Sequence, residues 1–182
     1  MKNGESSYRR LPTADEEAFD EILKEFRPRL IFFINRYTHD LAAAEDIAID
    51  VFVYILSYPN RYNQKTALST YLFMLARSRA IDYLRHKKVM NETELSEAEP
   101  LRDERDPFST LLENERKRRL SQALSELPSD MQSVIHLVYF EELSYSDAAR
   151  VMKKNKKQVD NLLYRAKTLL REKLLEEADW LL

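Results

Sequence analysis

"SYSDAARVMKKNKKQVDNLLYRAKTLL", residues 144–170, holds the pattern that decides the fold. Ser144 and Asp147 stand at capping-box spacing, three residues apart, which marks a helix start. Ala148, Ala149, Val151 and Met152 follow as an apolar face, and "KKN" reads as a short turn. After it, Val159, Leu162, Leu163, Ala166, Leu169 and Leu170 fall on one stripe, while Lys157, Gln158, Asn161 and Arg165 fall on another. A short helix, a three-residue turn and a second helix with polar first turns is helix-turn-helix geometry, whose second helix can enter a major groove. Asn155 is placed to cap that helix. Gln158 and Asn161 carry paired donors and acceptors suited to base edges, adenine especially. Lys156, Lys157 and Arg165 suit phosphates, and the positive helix end adds to them. The competing reading is a solvated amphipathic helix. Two lysines at a helix start oppose the macrodipole, so local stability does not select them there.

The rest of the composition agrees with a helical chain. The 182 residues hold 44% hydrophobic and 33% charged residues and one glycine, Gly4. So little glycine argues against tight hairpins and phosphate-cradling loops, which need positive φ. The absence of cysteine removes disulfides and thiolate metal sites and fits a reducing cytoplasm. No apolar run approaches the roughly 18–20 residues of a membrane helix, and no signal peptide is visible, so direct membrane insertion is not expected.

A net charge of −2 conceals blocks of opposite sign. Residues 61–88 hold seven Lys/Arg against one Asp, a net +6. Residues 89–115 hold two Arg against nine acids, a net −7. Residues 150–173 hold nine Lys/Arg against two acids, a net +7.

Along the chain, Thr13 and Glu16 give a capping box ahead of Phe19, Ile22, Leu23 and Phe26. Pro28 is read as opening a second helix with Leu30, Ile31, Ile34 and Tyr37. Asp40 caps a third, with Ala44, Ile47, Ala48, Val51 and Ile55 on one face. Residues 57–66, "SYPNRYNQKT", read as a loop, and a long helix spans about 68–88. In that helix Leu68, Leu72, Leu75, Ala76 and Tyr83 face one way. Tyr71, Met74, Arg77, Ser78, Ile81, Arg85 and Lys88 face another. Aromatics among basic residues suit a single strand, because rings stack on splayed bases and Arg holds the backbone. Arg79 falls near the apolar side, where it can snorkel or pair with an acid. "NETELSEAEPLRDERDP", residues 91–107, is acidic with two prolines and reads as a linker. Beyond it, Leu112, Leu120, Ala123, Leu124 and Leu127 mark a helix. Ser129 and Gln132 repeat the capping-box spacing ahead of Met131, Val134, Ile135 and Val138.

These segments resemble, in order, a bacterial RNA polymerase sigma factor of the extracytoplasmic-function type. "AAAEDIAIDVFVYIL" resembles the core-binding helix of sigma domain two, and "STYLFMLARSRAIDYLRHKK" the minus-ten melting helix. "LPSDMQSVIHLVYFEELSYSDAARVMKKNKKQVDNLLYRAKTLL" resembles domain four, which reads the minus-thirty-five element. Tyr71 stands where the family usually has Trp, Ser78 where it has Asn, Lys153 where Gly is usual in the turn, and Gln158 where Thr is usual.

The resemblance implies an all-α chain of two small helical domains joined by a flexible acidic linker. Residues 1–12 would be a tail, 13–88 domain two, 89–112 the linker and 113–182 domain four. Glu45, Asp46, Ile49, Asp50 and Phe52 would bind core RNA polymerase. Asn60, Arg61, Tyr62, Asn63 and Lys65 of the loop, with Tyr71, Met74, Arg77, Ser78 and Arg85, would hold the melted non-template strand at minus ten. Ser144, Tyr145, Asn155, Lys156, Lys157, Gln158, Asn161 and Arg165 would meet duplex promoter DNA at minus thirty-five. An anti-sigma factor is a further implied partner. A linker of this length reaches about 80 Å when extended, against about 50 Å for one and a half DNA turns, so both elements can be engaged at once.

Other readings compete. A stand-alone helix-turn-helix regulator leaves the "AED" helix and the aromatic-basic helix unexplained. A helical interaction module would make both basic helices docking faces. An enzyme lacks support: there is no HExxH, Walker loop or Cys/His zinc spacing, and His39, His86 and His136 are scattered. No catalytic residue, cofactor or metal is expected.

Overall fold

A computed structural model describes residues 4–11, 15–93 and 115–179, and every regular element among them is a helix. The chain divides into two compact units, Met1–Asp103 and Glu104–Leu182, each described by itself.

Unit 1 contains α1 (Glu5–Arg10), α2 (Glu16–Thr38), α3 (Leu41–Ser57) and α4 (Leu68–Thr93). Helices α2, α3 and α4 pack against one another, and α1 packs on α2. The core holds Ile22, Phe26, Phe33, Ile55, Leu72 and Phe73, all fully buried. The expected face of α3 is the buried one, and Asp40 caps that helix by accepting from the Ala43 N–H at 3.1 Å. Phe73 and Ala80 join Leu68, Leu72 and Ala76 on the buried side of α4, whereas Leu75 and Tyr83 are half-buried.

Four sequence expectations are corrected here. The N-terminal segment is not all tail, because α1 is helical and buries Tyr8 and Leu11. Helix α2 is capped by Asp15, whose side chain accepts from the Ala18 N–H, and Thr13 lies outside the described residues. Pro28 does not open a new helix, since α2 runs through it. A proline in a helix interior costs about 3 kcal/mol. Ile22, Phe26, Leu30, Ile31 and Ile34 form one buried stripe across it, and each such side chain returns about 1.5–3 kcal/mol. Lastly, α4 continues to Thr93, so the expected linker cannot begin at residue 89. Its residues 94–112 lie outside the described residues.

Unit 2 contains α5 (Glu115–Ser125), α6 (Ser129–Ile135), a wide π-type turn (His136–Phe140), α7 (Tyr145–Met152) and α8 (Lys156–Asp179). Helix α8 packs on α5, α6 and α7. Its core holds Val134, Leu137, Ala148, Met152, Val159 and Leu163. The expected Ser129–Gln132 capping box does not form. Pro128 stands at the N-cap position of α6 with no side-chain cap, and Gln132 is buried, donating from Nε2 to the carbonyls of Ser125 (2.9 Å) and Leu127 (2.7 Å). Gln132 therefore fixes the α5–α6 corner from inside. In the π-type turn, His136 Nε2 lies 3.1 Å from Glu141 Oε1, with both side chains buried.

Candidate nucleic-acid interface

In unit 2 the helix-turn-helix is built as its residues require. The Ser144 hydroxyl accepts from the Asp147 N–H at 3.1 Å and starts α7. Ala148, Ala149, Val151 and Met152 are buried. Lys153 closes α7 in the left-handed region (φ 53°), where its N–H and that of Lys154 reach back to the α7 carbonyls. Asn155 and Gln158 then cap α8 reciprocally. Asn155 Oδ1 accepts from the Gln158 N–H at 2.8 Å, and Gln158 Oε1 accepts from the Asn155 N–H at 2.8 Å.

Ser144, Tyr145, Ser146, Lys156, Lys157 and Asp160 line an open groove of about 700 Å³ between the starts of α7 and α8. Lys156, Lys157, Gln158, Asn161 and Arg165 are exposed, over a buried row of Val159, Leu163 and Ala166. Of the eight residues expected at the duplex, Ser144 caps the start of α7 and the other seven lie on the two helices or the turn between them. Tyr164, 70% exposed between Asn161 and Arg165 in sequence, was not singled out by the polar pattern, because an aromatic in a leucine-rich stretch reads as core.

In unit 1 the loop after α3 makes a 3-10 turn at Pro59–Arg61, and Asn60, Arg61, Asn63 and Lys65 are exposed. The Asn63 side chain accepts from the Lys65 N–H at 3.1 Å, turning the chain locally. Tyr62 departs from expectation. It is 7% exposed, donates to the Thr66 carbonyl at 2.6 Å and stacks on Tyr71 with ring centroids 5.1 Å apart. Burial, with Glu5 nearby, pushes its phenol up to about 12. The Tyr71 phenol is raised too, by burial first and then by Tyr54. Tyr62 is thus a support beneath the loop and not a surface contact.

Along α4, Met74 and Arg85 are exposed, and Arg85 lies 3.4 Å from Asp82. Ser78 is half-buried, as is Arg77, whose Nε donates to the Tyr37 hydroxyl at 3.3 Å. Arg79 is half-buried, and its guanidinium lies over the Tyr54 ring at 4.8 Å.

On α3, Asp46, Ile49 and Asp50 are exposed, and Glu45 is half-buried with Arg27 at 3.9 Å. Phe52 is corrected: it is 2% exposed and meets Phe19 edge-on, so it braces this helix from below. Val53 and Leu56, both exposed, extend the face begun by Ile49. Steps of four residues from Ile49 to Val53 and three more to Leu56 place them there, a signal already present in the sequence.

Unit 1 thus offers basic and aromatic groups suited to single-stranded nucleic acid, and unit 2 a helix-turn-helix suited to duplex DNA. That pairing is suited to a DNA-binding transcription factor. The Sigma-70 region 2 family model matches residues 22–89, and the Sigma-70, region 4 model matches residues 117–170. The chain belongs to the sigma-70 family of RNA polymerase sigma factors, in its extracytoplasmic-function group. It is 28% identical to the ECF RNA polymerase sigma factor SigM of Bacillus subtilis, covering 84% of this chain and 92% of the relative. It is 26% identical to the RNA polymerase sigma factor YlaC of the same organism, covering 90% and 95%. Its fold is similar to that of the sigma factor RpoE in complex with the anti-sigma factor NepR from Bartonella quintana. The TM-score is 0.66 at 20% identity, covering 86% of this chain and 96% of that one.

Proposed function

We propose that this sigma factor divides promoter recognition between its units. Asn60, Arg61, Asn63 and Lys65, with Tyr71, Met74 and the exposed side of α4, hold the melted non-template strand at minus ten. Helix α8, supported by the start of α7, reads duplex DNA at minus thirty-five. The α3 face of Asp46, Ile49, Asp50, Val53 and Leu56 docks on core RNA polymerase. The protein acts in the cytoplasm as a non-catalytic initiation factor, and no helix among the described residues is long and apolar enough to cross a membrane. An anti-sigma factor is a further partner, as for the relative solved with NepR. The observation that carries this reading is the different chemistry of the two basic surfaces. Exposed loop polar groups beside Tyr71 suit bases out of the stack, and a capped helix presenting Lys157, Asn161 and Arg165 suits a groove.

Run-off transcription with added core polymerase tests it. A promoter-dependent product is expected from a subset of genomic templates, and none from core polymerase alone. Tight sequence-specific binding of duplex by the lone protein, with no run-off product, would instead indicate a stand-alone regulator.

A further inference from the structure

The N-terminal helix α1 reaches the loop that the proposed function assigns to the melted strand. Gly4 starts it at φ 61°, wedged so closely that a Cβ would stand 2.7 Å from Phe26 Cε2 and 3.1 Å from Leu68 Cδ2. The Ser7 hydroxyl and the Arg10 guanidinium both donate to Glu21 of α2, and Arg10 also holds Asp15. Anchored in this way, α1 delivers Tyr8, 3% exposed, to the underside of the loop. The Tyr8 hydroxyl donates to the Pro59 carbonyl at 3.0 Å, and its ring meets Tyr62 edge-on at 4.9 Å. Tyr62 in turn stacks on Tyr71 and donates to the Thr66 carbonyl. Two phenol hydroxyls therefore fasten the loop at both ends, and between Pro59 and Thr66 stand the exposed Asn60, Arg61, Asn63 and Lys65.

We infer that Tyr8 is a positioning residue for base recognition at minus ten: its hydrogen bond to Pro59 sets where Asn60 and Arg61 meet the strand. Packing alone does not require the hydroxyl, since a phenylalanine ring would fill the same space. The bond reaches the turn backbone directly, one residue before Asn60. A geometric error there propagates to both exposed side chains, whereas the helix-turn-helix of unit 2 contains no part of this network. The inference rests on the reading of the loop as a strand-binding site.

The test uses the full chain with core polymerase on a promoter library randomised at both elements. Tyr8→Phe should reduce discrimination at one or two minus-ten positions by about five-fold, the equivalent of one hydrogen bond. Preferences at minus thirty-five should stay unchanged, and the thermal midpoint should fall by no more than the loss of one hydrogen bond entails. Tyr62→Phe, which frees the other end of the loop, should give the same change in the minus-ten profile together with some loss of stability, and Arg61→Ala reports on the loop itself. If Arg61→Ala flattens the minus-ten profile while both phenylalanine variants leave it intact, the inference is wrong and the loop reading stands. If none of the three alters the profile, the loop reading fails and the inference falls with it. A uniform loss at every promoter position would also overturn it, because that pattern marks a merely structural role.

Discussion

Gln158 faces two demands at once. Its carbonyl accepts the Asn155 N–H, so the side chain closes the start of α8. A bidentate pair with adenine needs both the carbonyl and the amide NH₂. In the capped state one lone pair of that carbonyl and the orientation of the amide are committed to the helix start, so the NH₂ is the group best placed to meet an acceptor on a base edge. This is sharper than a reading from residue type, which assigns both groups to the base. Gln158→Glu keeps a cap acceptor and removes the donor. It should leave the thermal midpoint nearly unchanged while changing the order of preferred minus-thirty-five sequences. Gln158→Ala should change that order too and also destabilise unit 2 by about 1 kcal/mol, the usual cost of a lost cap. A promoter-library ranking unaffected by either substitution would remove Gln158 from the readout and leave it a cap only. Lys157→Ala should weaken all promoters alike, since phosphate contacts carry affinity and little sequence choice.

Among the elements, α2 is where local rules and tertiary packing oppose each other most directly. Pro28 is exposed and lies inside the helix, so it removes one backbone donor and crowds the carbonyl four residues before it. The apolar stripe on either side is continuous, and its burial holds the helix together. Pro28→Ala restores the donor without touching the core and should raise the stability of unit 1 by about 2 kcal/mol. Chemical denaturation followed by helical circular dichroism checks this, and an unchanged or lower midpoint would mean that proline geometry is built into the packing. The same element marks the limit of reading periodicity. Stripes in α3, α7 and α8 are legible because their apolar residues are local and their caps, Asp40 and Ser144, stand next to them. Pro28 and the Ser129–Gln132 spacing mislead because local signals compete there with long-range burial. Gln132 turns inward to the Ser125 and Leu127 carbonyls, and no spacing rule reports that.

Across the whole molecule, the candidate interfaces are legible where exposed charge marks them and illegible where aromatic burial does. Arg61, Lys157 and Arg165 stand in solvent as the charge blocks suggest. Tyr8 and Tyr62 do not declare themselves, because what buries them is each other and a carbonyl 51 residues away from Tyr8 in sequence. That cluster gives unit 1 a dependence on pH. Burial raises the phenols of Tyr8, Tyr62 and Tyr71 above the ordinary value of 10. A group whose proton is held more tightly in the fold than in the unfolded chain stabilises the fold fully below the unfolded pKa. That contribution is lost as pH rises from 10 through the folded value, about 12 for Tyr62. Unit 1 should therefore loosen across this window, with phenolate absorbance and loss of its helical signal rising together. Tyr62→Phe removes one of the three phenols and the carbonyl contact of another end of the loop, so it should lower stability at neutral pH yet narrow the alkaline loss. A transition that is unaltered between wild type and Tyr62→Phe above pH 10 would place the titrating groups elsewhere. Because Tyr8 and Tyr62 fasten the loop proposed to hold the minus-ten strand, alkaline loosening should first appear as weaker binding of single-stranded DNA. The duplex binding proposed for α8, which shares none of these groups, should persist further up the pH scale.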